Sequence, residues 1–176
     1  ALAKIFEKHG LPFSYAVAKG IGNYLCSKNL ENSDATGLDF KDAEQYRAVQ
    51  DWARSTATGD LEELDFSPSG PVKLRVVTDS EECTGKACPK HAGCHAMAAR
   101  AKFKAADVIV TNYHLLFLDA VIRGDRETGG LMPAYDVLVM DEAHKAGDIA
   151  REYFGFQLSR FAINRSTRLL APRAGK

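Results

Sequence analysis

Two short apolar runs constrain this chain most: Asp107-Val-Ile-Val-Thr111 and Tyr135-Asp-Val-Leu-Val-Met140. Each has the length of a strand, and each stands among stretches rich in helix formers. His95 to Ala106 reads as a helix, Leu115 to Ile122 as another stopped by Gly124, and Ala146 to Tyr153 as a third. Arg123 to Pro133 is charged, contains glycine and reads as a loop. Helix, strand, helix, strand, helix is the pattern of a parallel sheet covered on both faces, so the expected class is α/β, with both strands buried. Two strands cannot complete such a sheet. Phe13 to Lys19 is the candidate for a third, with Phe13, Tyr15 and Val17 on one side.

The remaining stretches read more simply. Residues 1 to 9 look like the end of a helix stopped by Gly10 and Pro12. Gly20 and Gly22 permit a tight turn, and residues 27 to 40 are polar and expected to be irregular. A helix is expected from about Asp42 to Ser55, because Tyr46, Val49, Trp52 and Ala53 recur at helical spacing, with Trp52 in the core. Residues 61 to 71 read as loop. Val72, Leu74 and Val76 alternate, which predicts a brief strand or extended arm. In the helix after Cys94, Met97, Ala98, Ala101 and Ala105 form the expected apolar stripe.

The chain has 176 residues, zero formal net charge, 45% hydrophobic and 26% charged residues, the composition of a folded, soluble protein of one domain or two small ones. A neutral chain gives no global argument for nucleic acid, but a local basic track would suffice for binding. No secretory signal is visible, and the strongest apolar run, Leu115 to Ile122, is far too short to span a membrane and contains Asp119. These features favour the cytoplasm, where thiols serve more often as ligands than as disulfides. The start at Ala1 points to a piece of a longer protein.

In Val137-Leu-Val-Met-Asp141-Glu142-Ala-His144 an apolar strand delivers two acids to its C-terminal end, where open α/β sheets bind ligands. The pattern suits nucleotide hydrolysis. Asp141 can hold Mg²⁺, Glu142 can orient and deprotonate the attacking water, and His144 can sense the γ-phosphate. The plainer alternative is an acidic turn after a core strand. No Gly-x-x-x-x-Gly-Lys-Ser/Thr phosphate loop occurs in the chain, so it is not expected to hydrolyse ATP efficiently by itself.

Cys83, Cys88 and Cys94 lie within twelve residues, and Cys26 lies upstream. The spacing is wider than the Cys-x2-Cys of zinc ribbons, and it suits a bulky iron–sulfur cluster held by separate loops. Zinc is the alternative, with His91 or His95 able to replace one cysteine; buried, unliganded thiols are a third reading.

Together these features resemble the iron–sulfur superfamily 2 DNA helicases of the DinG and XPD type, most of all the bacterial DinG branch. The matching pieces are Lys19-Gly-Ile-Gly-Asn-Tyr-Leu-Cys26, Thr58-Gly-Asp60, Cys83-Thr-Gly-x-x-Cys88, Cys94, Ala106 to Asp119, and Asp141-Glu-Ala-His144. Ile21-Gly22 and Tyr113-His114 depart from the usual pattern. The resemblance implies a partial RecA-like parallel-sheet motor domain interrupted by a mainly helical iron–sulfur cluster domain. Residues 1–22 would be motor, 23–105 the cluster insertion, 106–147 the return to the motor with its DEAH box, and 148–176 the start of an arch-like helical insertion. It implies a 4Fe-4S cluster on Cys26, Cys83, Cys88 and Cys94. It also implies ATP and Mg²⁺ in the full-length protein, a phosphate loop before position 1, and 5′ to 3′ translocation on single-stranded or forked DNA.

Such a motor needs cations for phosphates and rings for bases. The candidates are Lys19, Tyr24, Lys86, Lys90 and Lys102, with Arg100 and Lys104 beside the last. For each lysine a solvated surface charge is the plain alternative, and for Tyr24 it is packing. Asn112 would contact DNA or couple the sheet to the nucleotide; a helix cap is its plain alternative. No membrane partner is expected. A monomer is expected, with repair or replication proteins as partners. Competing function classes are a metal-stabilised nucleic-acid-binding module without catalysis and a DinG-like motor of a nuclease or CRISPR-associated protein. Loss of a metal is expected to loosen residues 27–94 more than the strand at 136–140.

Overall fold

The computed structural model describes residues 4, 8–10, 13–125 and 130–154. The expected helix over residues 1–9 and most of the expected arch-like segment therefore lie outside the described residues. The chain divides into two compact units, residues 1–115 and 116–176.

The first unit holds a parallel pair of strands, β1 (Tyr15–Val17) and β2 (Val108–Val110), in the register Tyr15↔Val108, Ala16↔Ile109, Val17↔Val110. β-branched residues favour this extended pairing. Its entrance is fixed by a reciprocal clasp: the Ser14 amide and Oγ donate to Asp107 Oδ2 at 2.8 and 2.6 Å, and the Asp107 amide donates to Ser14 Oγ at 3.0 Å. The segment before Cys26 thus supplies the expected partner strand. Burial differs from expectation, since Val108 and Val110 are exposed, as are Tyr15 and Val17.

Everything between β1 and β2 is helical or looped. It contains α1 (Ser27–Glu31), α2 (Phe40–Ala53), α3 (Gly70–Val76) and α4 (His95–Lys104), with short 3₁₀ turns between them. Leu25, Tyr46, Val49, Val72 and Val76 form its core, with Leu30, Trp52, Leu64 and Phe66 packed around them. Asp39 caps α2 by accepting from the Asp42 amide at 2.8 Å. The Tyr46 hydroxyl is satisfied by the Ser33 carbonyl at 2.8 Å, so this ring enters the core without an unpaired polar atom.

Three expectations are corrected here. Residues 27–31 form a helix where irregular chain was expected, because the Cys26 carbonyl accepts from Leu30 and begins the turn. Val72 to Val76 is helical, not extended. Ser69 caps α3 by accepting from the Val72 amide, Pro71 occupies its first turn, and Val72 and Val76 are fully buried one helical turn apart. On α4 the alanines at 98, 101 and 105 are exposed, and Phe103 is the buried anchor.

In the second unit, the larger part of α5 (Tyr113–Asp125) is followed by an extended segment, a 3₁₀ turn at Ala143–Lys145, and α6 (Ala146–Phe154). The expected buried strand over Tyr135 to Met140 is not observed. Val137 and Val139 are 77% and 87% exposed. A parallel strand exists only through its neighbours, and among the described residues no strand pairs with this run. Phe117 meets Phe154 edge to face at 5.8 Å. The described residues are mostly helical, with one small parallel two-stranded sheet in the first unit.

Candidate functional site

The acidic segment forms one tight turn leading into α6. Asp141 Oδ1 accepts from the Glu142 amide at 2.9 Å, and Glu142 itself has φ 52°, ψ 40°. Among the described residues it is the non-glycine residue in the left-handed region, a conformation that is uncommon for a residue with a Cβ. Its carboxylate faces His144 Nε2 and Lys145 Nζ, each at 3.4 Å. Asp141, Glu142 and His144 are thus gathered on one exposed turn. That arrangement places two carboxylates and an imidazole on an exposed surface.

The four cysteines are free and half-buried. Cys26 leads into α1 and donates its amide to the Val76 carbonyl at 2.7 Å. Cys88 closes one 3₁₀ turn, and Cys94 closes the next and leads into α4. Cys83 is held by its amide on the Asp79 carbonyl. Among the described residues no three His, Cys, Asp or Glu side chains come together in a group that could hold a metal ion. The donor chemistry fits a thiophilic metal or cluster, since all four thiols are unpaired and at ends of helices and turns. The arrangement brings no three of them together.

The DNA-contact candidates separate by partner. Lys19 Nζ is bound by Asp60 and Glu62, both at 2.6 Å. Burial acts to lower its pKa, but the hydrogen bonds and charges of the two carboxylates outweigh burial, and the net shift is upward. Tyr24 is 6% exposed, so most of its ring is packed. Burial, and then the nearby Asp60 charge, raise its phenol pKa. Asn112 caps α5, accepting from the Leu115 amide at 2.9 Å. Lys86, Lys90 and Lys102 are exposed; Lys90 meets Glu31 at 2.6 Å.

Sequence reading missed the acids that hold Lys19. They sit in a turn whose other end is also fixed. Glu63 accepts from the Thr56 and Thr58 hydroxyls, which in that order hold its carboxyl below the usual range. This turn, β1 and α4 border an open cleft of about 810 Å³, which Tyr15, Tyr24, Thr58, Asp60, His95 and Lys102 help to line. The signal was present in Thr58-Gly-Asp60, but nothing local in that tripeptide reveals a lysine forty residues upstream.

No helix among the described residues is long and apolar enough to cross a membrane. The chain is 35% identical over 147 residues to the ATP-dependent DNA helicase YoaA of Haemophilus influenzae, covering 82% of this chain and 23% of that protein. The Escherichia coli YoaA protein matches with the same identity and coverage. The ATP-dependent helicase DinG of Mycobacterium tuberculosis is 31% identical over 180 residues, covering 90% of this chain and 26% of that protein. The chain therefore spans about a quarter of the length of these curated relatives. The DEAD_2 family profile matches residues 25–163, most of the sequence and the whole stretch from Cys26 to His144. On that match, the chain belongs to the DEAD_2 family.

Proposed function

We propose that this chain is the part of an ATP-dependent DNA helicase that carries its water-activating turn and its cysteine-bearing insertion. The observation that supports this most directly is the Asp141–Glu142 turn, with its left-handed glutamate and outward carboxylates. A non-glycine residue held in that region costs of order 1–3 kcal/mol, and such residues cluster where a side chain must be aimed. Asp141 would hold Mg²⁺, Glu142 would orient the attacking water and take its proton, and His144 would meet the terminal phosphate. The bound Mg²⁺ would supply charge neutralisation at the phosphates. The phosphate loop and a second motor domain would come from other parts of the full-length protein.

In this reading β1 and β2 belong to a RecA-like motor sheet, and the helical stretch between them is an insertion. Cys26, Cys83, Cys88 and Cys94 would hold a 4Fe-4S cluster, with zinc the alternative. Bound there, such a group would brace loops that lie outside the apolar core. Lys86, Lys90 and Lys102 would meet the phosphates of single-stranded or forked DNA. The exposed Lys90–Glu31 pair is worth only about 0–1 kcal/mol, so a phosphate can replace the carboxylate. Lys19, Tyr24 and Asn112 would shape the site from behind, through a turn, a core and a cap.

The test is Glu142→Gln in the full-length protein. Loss of general-base catalysis should lower ATP hydrolysis by about 10²–10⁴-fold while nucleotide binding persists. Unchanged hydrolysis would overturn the assignment. Metal and acid-labile sulfide analysis of the anaerobically purified protein separates the cofactors: iron with sulfide supports the cluster, and zinc without sulfide supports the alternative.

A further inference from the structure

We infer that the Thr58-Gly59-Asp60 turn is a positioning element that presets Cys26 and Cys94 as one half of a thiol site. This rests on the ligand reading above and goes beyond it, because it assigns the work of bringing two ligands together to residues that are not ligands.

Two distant segments meet on the same glycine. On one side, the Leu25 amide donates to the Gly59 carbonyl at 2.8 Å, one residue before Cys26, and Tyr24 bridges to Asp60. On the other side, His95, one residue after Cys94, lies against the Gly59 α-carbon. Gly59 has φ +64°, and a Cβ there would fall 2.6 Å from His95 Cδ2 and 2.7 Å from its Cβ. Glycine is thus required twice, by the backbone conformation and by the imidazole.

The turn is itself braced. Its Gly59 amide donates to Thr56 Oγ1 at 2.9 Å and its Asp60 amide to Thr58 Oγ1 at 3.1 Å. Thr56 and Thr58 both donate to Glu63. Lys19 anchors the far side through Asp60 and Glu62. Cys83 and Cys88 have only local backbone bonds: their amides donate to the Asp79 and Gly85 carbonyls, and the Cys88 carbonyl accepts from His91. The site is therefore asymmetric: one half is set by the fold, and the other is closed by the ligand loop.

The experiment uses metal-free full-length protein and a short bis-maleimide, with the cross-linked cysteines mapped by peptide analysis. Cys26–Cys94 should be the dominant link. Gly59→Ala should lower its yield several-fold, and so should Lys19→Met, which leaves the glycine intact and guards against a variant that fails to fold. Helicity by circular dichroism should be retained in Lys19→Met. Equal Cys26–Cys94 yields in the parent protein and both variants would overturn the inference. A turn-dependent Cys26–Cys94 link in a protein that binds neither iron nor zinc would uphold the positioning and remove the ligand reading instead.

Discussion

Asp119 shows what one residue can hold together. Its carboxylate is 1% exposed, yet it is fully partnered: Arg123 Nε donates at 2.7 Å and the Met132 amide at 2.9 Å. Arg123 then reaches the Met132 and Pro133 carbonyls at 2.7 and 2.9 Å and lies 6.0 Å from the Tyr135 ring. A helix is thereby clamped to the segment that leads toward Asp141. Gly130 belongs to the same clamp, because a Cβ there would collide with the Asp119 carboxylate and come within 2.8 Å of Arg123 Cγ. Asp119→Ala should cost roughly 2–4 kcal/mol, somewhat below a fully buried broken pair because Arg123 is a third exposed. Urea melts check this, and a loss under about 0.5 kcal/mol, the range of ordinary surface changes, would show the clamp to be idle. In the sequence, Asp119 was legible only as a charge interrupting an apolar run. Its i,i+4 relation to Arg123 was readable, but the Met132 amide that completes the site is a tertiary fact.

At the scale of elements, α3 shows how a period can mislead. Val72, Leu74 and Val76 fit a strand, and Val72 with Val76 fits a helix equally well. The deciding signal was the start, Ser69-Gly-Pro71, a cap followed by proline in the first turn. The two readings differ at Leu74, which a strand would bury with its neighbours and which is 82% exposed. Val72→Ala should therefore cost about 2 kcal/mol of burial, and Leu74→Ala less than about 0.5 kcal/mol. Equal losses by denaturant unfolding would restore the strand. α4 and α5 were legible because their formers and stops are local; β1 and β2 were legible as strands, but their exposure was not, since burial depends on what covers a sheet. The clasp at their entrance makes a separate prediction. Hydrogen bonds from the Ser14 hydroxyl and then its amide lower the Asp107 pKa. A depressed carboxylate stabilises above its unfolded value, about 3.9, and loses that contribution as pH falls through the lower folded value. The Ser14 amide resonance should titrate below about 3.9 in the folded protein and lose that step in Asp107→Asn. A midpoint at or above that value would contradict the clasp.

At the scale of the molecule, order is unevenly distributed, and the candidate sites lie where it is thin. The acid turn follows an exposed apolar run, and all four cysteines lie outside the core that Leu25, Tyr46, Val49, Val72 and Val76 build. The motifs were legible because chemistry restricts residue type and spacing. The bonds that hold them were not, because Lys19 finds its acids and His95 its glycine only after the chain has folded. This changes what metal loss should do. From the sequence, residues 27–94 are expected to loosen more than the strand at 136–140. The core spans residues 25–76 and is closed by apolar packing, so it should not depend on a metal. Residues 79–91 differ, since the amides of Cys83, Ala87, Cys88 and His91 bond only to carbonyls three or four residues back. Short turns of this kind open with little cost when their tie to the rest of the fold is an exposed ion pair such as Lys90–Glu31. Hydrogen exchange on the full-length protein, compared with and without the proposed metal, should lose protection over 79–91 and keep it at Tyr46 and Val49. Equal protection of 79–91 in both states would mean that the turns stand by themselves; collapse at Tyr46 and Val49 as well would mean that the thiol site and the helical core fold as one unit.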